Sequence, residues 1–305
     1  MKTFCVVGSL NMDMVTRLDH FPRPGETLTG QSFTIFPGGK GANQAVALAR
    51  LGCDVVLVGS VGDDFLGHRY RDTLRQESVG VDSVVLQGGE TGTASIQVNA
   101  TGENTIVVVP GANAKVTPEV VRLHAELIAR SELVLLQLEI PIESTLEAAR
   151  IARAAGRTVL LDPAPARPLP DELWGLVSIL TPNETEASLL SGCDASTEEG
   201  LRAAAHWLVN RGVPTVVIKA GSRGAYLATS EGVVAVPGFP VEVVDTVAAG
   251  DSFNAGLACA LGKGQPLVRA IRFANAVAAL STTSTGAQSA MPTYAAAREL
   301  FESWD

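Results

Sequence analysis

Residues 245–254 read DTVAAGDSFN and place two alanines and a glycine directly before the carboxylate of Asp251. An apolar run through Leu257 and Leu261 follows, so the segment predicts a loop that leads into the N-terminus of a helix. Unpaired backbone N–H groups at such a terminus bind phosphate, because the helix dipole and the orphan donors both favour an anion. With Asp251 beside them as a base, the segment indicates phosphoryl transfer. Taken alone, it is explained about equally well as a glycine-rich turn that opens a core helix.

A second glycine-rich motif, GGKGAN at residues 38–43, also opens a predicted helix. Its paired glycines let a ligand approach the backbone closely, and Lys40 and Asn43 add donors that suit hydroxyls or an anion. It is not a P-loop, since GxxxxGK[ST] occurs nowhere in the chain, and no GxGxxG follows the first strand, which argues against a dinucleotide site. The chemistry expected at Asp251 requires that the two distant motifs meet at a common cleft.

A third polar element, residues 8–13, lies at the carboxyl end of the first predicted strand. In an open α/β sheet, ligands bind beyond the carboxyl ends of the strands. Asn11 and Asp13 alternate onto the same side, and an amide with a carboxylate suits vicinal sugar hydroxyls. By itself, an Asx-rich turn is the simpler interpretation.

The composition limits the class of protein. The chain of 305 residues is 46% hydrophobic but only 5% aromatic, so its core must be built from Val, Leu, Ala and Ile. The net charge of −9 and the lack of a Lys/Arg cluster argue against a nucleic-acid partner. The four cysteines form no CxxC pair, which predicts buried thiols. With no signal-peptide pattern and no apolar run near the length of a membrane span, we expect a cytoplasmic protein with no membrane contact.

Short apolar runs alternate with amphipathic runs along most of the chain, which predicts one α/β domain over residues 1–305. Its expected fold is a doubly wound, mostly parallel sheet flanked by helices. Strands are predicted at residues 4–7, 55–58, 133–138, 158–161, 179–180 and 216–218. Helices are predicted at residues 41–51, 65–77, 118–130, 144–155, 184–190, 201–211, 249–261 and 267–281.

Residues 12–36 and 91–109 break this alternation and read as β ribbons without helices of their own. We expect them to pair as a small projecting β-sheet that serves as a lid, with one face over a site. The other face needs cover, and a second subunit can provide it, so a homodimer through the lid sheets is expected. The alternative is that both ribbons are edge strands of the main sheet.

With GGKGAN near residue 40 and DTVAAGD near residue 250, the chain resembles the PfkB-type carbohydrate kinases. The resemblance runs essentially end to end and includes DPAPAR at 162–167, TPNETEA at 181–187, GSRG at 221–224 and GAQ at 286–288. It implies a small-molecule kinase that phosphorylates D-ribose at the 5-hydroxyl with ATP. Two alternatives stay open: a kinase of the same family for 2-deoxyribose, a ketohexose or a nucleoside, and a non-catalytic sugar sensor that has kept the fold.

The resemblance also implies roles for individual residues. Asp251 is the catalytic base, and the N–H groups of Ala248, Ala249 and Gly250 form an anion hole. The base needs no unusual pKa, because the hydroxyl loses its proton late in a loose transition state. The sugar is held by polar residues and closed over by two apolar ones: Asn11, Asp13, Gly39, Lys40, Asn43, Glu139, Asp251, Ala94 and Ile96.

For the nucleotide and metals, the resemblance implies ATP, Mg²⁺ and a monovalent cation, K⁺. The nucleotide is lined by a set of polar and glycine residues: Asn183, Lys219, Gly221, Ser222, Gly224, Gly250 and Asn275. Glu186 organises Mg²⁺ through water. The K⁺ ligands are one side chain and four backbone oxygens: Asp245, Val247, Ser281, Ser284 and Gly286. The chain departs from the family pattern here, since GAQPS is replaced by GAQSA at 286–290, so either Ser289 substitutes or the site has one ligand fewer.

Overall fold

The computed structural model of the chain describes residues 3–304 and arranges its strands in two sheets. The strands are β1 (Thr3–Val7), β2 (Asn11–Arg17), β3 (Ser32–Gly38), β4 (Asp54–Gly62), β5 (Val84–Gln87), β6 (Gly92–Val98), β7 (Asn104–Val109), β8 (Leu133–Leu136), β9 (Thr158–Leu161), β10 (Ile179–Leu180), β11 (Thr215–Lys219), β12 (Ala225–Thr229) and β13 (Gly232–Val236). The helices are α1 (Lys40–Arg50), α2 (Phe65–Gln76), α3 (Pro118–Leu123), α4 (Ala125–Arg130), α5 (Ile142–Ala154), α6 (Asp171–Leu176), α7 (Glu184–Ser191), α8 (Glu198–Asn210), α9 (Ala249–Gly262), α10 (Leu267–Ser281) and α11 (Tyr294–Glu302).

The main sheet has nine strands in the order β13-β12-β11-β10-β9-β8-β1-β4-β5. Neighbouring strands from β11 to β5 run parallel, and only the β11-β12-β13 edge is antiparallel. The order reverses beside β1, because β4 follows on one side and β8 on the other. In such sheets the ligand crevice lies at this switch point, outside the carboxyl ends of the strands.

Both faces of the main sheet are buried. On β1, Phe4 and Val6 pack into a core with α1, α2, α9, α10 and α11, whereas Cys5 and Val7 pack into a core with α3 to α8. Each fully buried Val or Leu contributes roughly 1.5–3 kcal/mol relative to an exposed one. The continuous apolar runs of the central strands therefore follow from burial on both sides, and the predicted doubly wound fold is confirmed.

Several boundaries differ from the prediction. The single helix expected at residues 118–130 is wrong, because α3 ends where the N–H of His124 bonds to the carbonyl of Val121 and α4 begins afterwards. The cap expected at Thr117 is present. Strands β5, β12 and β13 and helices α6 and α11 were not predicted. β12 and β13 form a hairpin at the sheet edge, where no βα alternation marks them.

The two β ribbons form a separate four-stranded sheet in the order β3-β2-β6-β7. β2 pairs antiparallel with β3 and parallel with β6, so the first ribbon is joined to the second along its full length. The alternative, in which both ribbons are edge strands of the main sheet, is wrong. All residues of β7 are exposed, and they include four consecutive apolar ones, Ile106, Val107, Val108 and Val109.

Across residues 3–304, no helix has both the length and the apolar character that a membrane span needs. The four cysteines are free thiols, although Cys53 and Cys193 are only partly buried.

Candidate active site

Two glycine-rich loops begin α1 and α9, and they lie side by side near the end of β1. Nδ2 of Asn43, in the first turn of α1, donates a hydrogen bond of 3.0 Å to Oδ2 of Asp251, in the first turn of α9. Gly41 brings α1 against the segment after β1, because a Cβ there would lie 2.5 Å from the backbone nitrogen of Ser9. The two motifs therefore meet, as the chemistry expected at Asp251 requires.

The N-terminus of α9 can accept an anion. Its N-cap, Ala248, has a left-handed backbone with φ 59° and has no side chain that could cap the first N–H groups. Such groups have no intrahelical partner and carry the positive end of the dipole. The ammonium of Lys219 lies beside them, since a Cβ on Gly250 would be 3.3 Å from its Nζ. The Lys219 ammonium and the N–H groups at the start of α9 are therefore directed at the same region.

The Asp251 carboxyl is buried and accepts hydrogen bonds from two amides. Asn43 donates to Oδ2 at 3.0 Å, and Nε2 of Gln44 donates to Oδ1 at 3.1 Å. Burial raises the pKa of Asp251 to about 6, and the Lys40 ammonium opposes that rise. The pKa of this residue is therefore raised although the mechanism requires no unusual value, because a buried carboxylate loses its hydration. At pH 7 the group is still mostly ionised.

The Lys40 ammonium stands among several carboxylates. Burial alone would lower its pKa, but the negative charges around it raise the pKa above its usual value. The carboxylates responsible are those of Asp251, Asp162, Glu139 and Glu186. Lys40 therefore remains a cation, and it lines the same cavity as Asp251.

Asn11, Asp13 and Glu139 lie on the lid side of this cluster. Glu139 accepts hydrogen bonds from Oγ of Ser9 at 2.5 Å and from the backbone N–H of Lys40 at 3.0 Å. Oδ1 of Asn11 accepts from Nδ2 of Asn113 at 2.7 Å. Burial, together with the charges of Glu139 and Asp251, raises the pKa of Asp13 to about 7. Three carboxyl groups thus surround one region, and the charges of the other two oppose the ionisation of Asp13.

The small sheet carries the two apolar residues predicted to contact the sugar. Ala94 on β6 is buried and lies opposite Asp13 on β2 in the parallel pairing. Ile96 lies two positions further along and is half-buried. The pairing therefore places Ala94 beside the polar cluster and Ile96 further out on the same face.

A cavity of about 890 Å³ extends from Asp251 toward the antiparallel edge of the main sheet. Its lining includes Lys40, Glu186 and every residue predicted for catalysis and for the nucleotide: Asn183, Lys219, Gly221, Ser222, Gly224, Ala248, Ala249, Gly250, Asp251 and Asn275. The amide of Asn275 is partly used within the protein, since its Nδ2 donates to the carbonyls of Val236 and Pro237 at 3.0 Å each.

Asn183 and Glu186 form a capping box at the start of α7. Oδ1 of Asn183 accepts from the N–H of Glu186 at 2.8 Å, and Oε2 of Glu186 accepts from the N–H of Asn183 at 2.8 Å. Burial raises the pKa of Glu186, and the nearby Lys219 opposes the rise. Over residues 3–304, no three His, Cys, Asp or Glu side chains form a cluster suited to a metal ion. The side chains of Asn183 and Glu186 engage each other, and both line the cavity.

The segment before α9 is tied to the chain after α10. Oδ2 of Asp245 accepts from the N–H of Gly286 at 2.9 Å, and Oδ1 accepts from the N–H of Val247 at 3.0 Å. Ser281 directly precedes Thr282, whose carbonyl accepts the N–H groups of Val244 and Asp245, and Ser284 follows two residues later. Oγ of Ser289 donates to the carbonyl of Thr285 at 3.1 Å. Three predicted cation ligands are therefore neighbours, and the hydroxyl of Ser289 is already engaged.

Some site residues were missed by the sequence analysis. Asp162, directly after β9, accepts a hydrogen bond of 2.9 Å from Nζ of Lys219, and both residues line the cavity. The position of Asp162 at the carboxyl end of a predicted parallel strand is the sequence feature that could have identified it as a site residue. Gln288 donates to Oδ1 of Asn43 at 3.1 Å and to the hydroxyl of Tyr70 at 2.9 Å, and Tyr70 donates to the carbonyl of Gly38. No local pattern marks Tyr70, which lies in the middle of α2.

The model of the pfkB family of carbohydrate kinases matches residues 1–294. A ribokinase of Haemophilus influenzae is 43% identical over 302 residues, which are 99% of each chain. A deoxyribokinase of Salmonella typhi is 37% identical over 94% of each chain. The structure of an Arabidopsis thaliana ribokinase complexed with ribose and ATP superimposes with a TM-score of 0.94 at 34% identity and covers 99% of each chain.

Proposed function

We propose, from the premise that this chain belongs to the pfkB family of carbohydrate kinases, that this sugar kinase transfers the γ-phosphoryl group of ATP to the 5-hydroxyl of D-ribose. The products are D-ribose 5-phosphate and ADP. The observation that carries the proposal is the buried contact between Asn43 and Asp251 at the N-terminus of α9. This contact supports the placement of Asp251, as the base, between the GGKGAN motif that would hold the sugar and the proposed anion hole of α9.

In the proposed reaction, a carboxylate oxygen of Asp251 accepts the proton of the 5-hydroxyl. The hydroxyl oxygen forms a bond to the γ-phosphorus as the bond to the bridging oxygen of ADP breaks. The N–H groups of Ala248, Ala249 and Gly250 stabilise the charge on the transferring group, with Lys219 beside them. A base with a pKa of about 6 is suited to this step, because it is ionised at neutral pH yet basic enough to take a proton.

The sugar is held by the polar cluster next to the small sheet. We assign its hydroxyls to the side chains and backbone groups of Asn11, Asp13, Gly39, Lys40, Asn43 and Glu139. Because Oδ1 of Asn11 accepts from Asn113, its Nδ2 is the group that donates to the sugar. A 2-deoxy sugar leaves a donor in this position unpaired, which costs about 1–3 kcal/mol.

The nucleotide occupies the 890 Å³ cavity next to Gly221, Ser222, Gly224 and Asn275. Mg²⁺, bound with the phosphates, supplies charge neutralisation, and Asn183 and Glu186 would hold it through water. K⁺ would be held near the anion hole by Asp245 with the backbone oxygens of Val247, Ser281, Ser284 and Gly286. The contact of Asp245 with Gly286 supports a shared site, and Ala290 leaves it without one hydroxyl ligand.

The chain forms one kinase domain in which the small sheet acts as a lid. Ala94 supports this assignment, since it lies in register with Asp13. The exposed apolar strand β7 supports a homodimer through the lid sheets, because a second copy would cover it. Use of ATP supports a cytoplasmic location.

The second candidate is a kinase for 2-deoxyribose, which the 37% identity to a deoxyribokinase favours. A coupled assay of ADP release with ribose, 2-deoxyribose, ketohexoses and nucleosides separates the candidates. We expect kcat/KM to be highest for ribose. A higher value for 2-deoxyribose would replace the substrate assignment, and binding of both ligands without ADP release would indicate a sensor.

A further inference from the structure

The side chain of Gln44 is enclosed between the two halves of the site. It is fully buried, and its Nε2 lies 3.1 Å from Oδ1 of Asp251 and 3.1 Å from Oδ2 of Asp162. A primary amide carries two N–H groups, so one is available to each carboxylate. Since Asp162 also pairs with Lys219, Gln44 joins the proposed base to the ion pair in the nucleotide cavity.

A second buried amide determines the orientation of the first. Gln137, directly after β8, donates from Nε2 to Oε1 of Gln44 at 2.6 Å. With the amide of Gln44 reversed, its oxygen would face two carboxylates and its N–H groups would face the Gln137 donor, so that orientation is excluded. Oε1 of Gln137 lies in the space that the missing Cβ of Gly8 leaves and has no hydrogen-bond partner among the described residues, while the backbone carbonyl of Gln137 accepts from Oγ1 of Thr145 at 3.1 Å.

The Asp251 carboxylate faces charged groups from several elements. These are Lys40 on α1, Asp13 on β2, Glu139 after β8, Asp162 after β9 and Lys219 at the end of β11. The charge of Asp162 raises the pKa of Asp251, whereas the hydrogen bonds from Asn43 and Gln44 lower it. Gln44 is thus the donor that lies between the two like charges and serves both of them.

We propose that Gln44 is a positioning residue that orients the carboxylate of Asp251 and keeps it charged, and that Gln137 acts through Gln44. The inference rests on the proposed function, because it has kinetic consequences only if Asp251 takes the proton from the sugar. Neither glutamine touches the substrate in this assignment. Both therefore affect turnover through the base and leave ligand binding largely unchanged.

The test is the pH dependence of kcat/KM for ribose, with kcat and KM measured separately on the full-length enzyme. Gln44→Leu keeps most of the side-chain volume and removes both donors. In this variant we expect the acidic side of the kcat/KM profile (its acid limb) to move to higher pH by about one unit. Loss of a hydrogen bond to the charged form raises a carboxyl pKa. We expect kcat at pH 7 to fall about twofold because less of the base is ionised and further because its orientation is lost, about tenfold in all, while KM for ribose and ATP changes less than about threefold.

Gln137→Leu leaves both donors on Gln44 but frees its orientation, so a smaller shift in the same direction is expected. The double variant should match Gln44→Leu alone, because residues that act through one contact are not additive. Ser144→Ala is the matched control: its buried hydroxyl donates to the carbonyl of Val116 at 2.5 Å, away from the site. We expect it to lower Tm with the acid limb unmoved.

An acid limb at the wild-type position in Gln44→Leu, or a wild-type enzyme without an acid limb, overturns the proposal. If Gln44→Leu does not fold, the profile of Gln137→Leu decides in the same way. Asp251→Asn, assayed in parallel, separates the two claims. Full turnover in Asp251→Asn would refute the proposed function, whereas an inactive Asp251→Asn together with an unmoved limb in Gln44→Leu would refute this inference alone.

Discussion

Asn43 and Asp251 share a buried hydrogen bond of 3.0 Å, although they are 208 positions apart in the chain. Each lies in the first turn of a helix that follows a glycine-rich loop. The first N–H groups of α1 are occupied by Glu139, Ser9 and Gly39, so it is the N-terminus of α9 that places N–H donors beside the desolvated carboxylate. This is the combination on which the proposed phosphoryl transfer depends.

Asp251→Asn removes the proton acceptor while it keeps the shape of the side chain. We expect kcat to fall by about 10²–10⁴-fold or more, because a positioned base contributes that much to the rate. Ribose and ATP affinity, measured by calorimetry, should stay close to the wild-type values. A parallel loss of binding would instead indicate that Asp251 positions ligands or supports folding.

Asp13→Asn tests the crowding of carboxyl groups near the small sheet. The pKa of Asp13 is raised from 3.8 to about 7, so its contribution to stability is present below pH 4 and is lost as the pH rises through about 7. Asparagine does not ionise, so the Tm of the variant relative to wild type should be higher at pH 8 than at pH 5, by about 2 °C or more. Exposed Glu231→Gln is the control and should show no such difference.

Lys219→Met tests the buried ion pair. It leaves the Asp162 carboxylate without its cationic partner, and loss of one member of a buried pair costs about 3–5 kcal/mol. We expect the free energy of unfolding in urea to fall by that amount and KM for ATP to rise. Arg298→Met, which breaks an exposed pair with Glu302, should change stability by less than about 1 kcal/mol. Equal losses of unfolding free energy in Lys219→Met and Arg298→Met would contradict the view that the pair of Lys219 with Asp162 is a buried ion pair.

Gly41→Ala tests the close approach of α1 to the end of β1. A Cβ there would lie 2.5–2.7 Å from backbone atoms of Gly8 and Ser9, so the helix must shift. We expect a loss of about 1–3 kcal/mol in stability and a larger loss in kcat/KM, since Lys40 and Asn43 move with the helix. Gly175→Ala, in α6 with open space around it, should be neutral or stabilising by about 0.5–1 kcal/mol.

The proposed cation site near Asp245 predicts a dependence on the monovalent salt. Activity in KCl should exceed activity in NaCl at equal ionic strength, because backbone oxygens spaced for K⁺ bind Na⁺ less well. Asp245→Asn should reduce the difference between the salts. Equal rates of the wild-type enzyme in both salts would mean that the altered GAQSA segment does not hold the cation.

Local pattern was enough to predict much of the molecule. The apolar runs at residues 4–7 and 133–138 predict strands buried on both faces, and the observed β1 and the shorter β8 (Leu133–Leu136) lie in the centre of the main sheet. The glycines before Lys40 and Asp251 predict two helix N-termini at their observed positions. These features depend on residues that are neighbours in the chain, so the sequence carries the signal directly.

Only the tertiary structure determined which residues surround Asp251. Gln44, Asp162 and Gln137 come from three different elements, and only the order of β1, β8 and β9 in the sheet brings them together. The raised pKa of Asp251 likewise depends on burial, which no local sequence pattern predicts. The sequence thus specifies which functional groups are available, whereas the order of the strands and the packing specify which of these groups come into contact. The reason is that desolvation and hydrogen bonding act between atoms that are close in space.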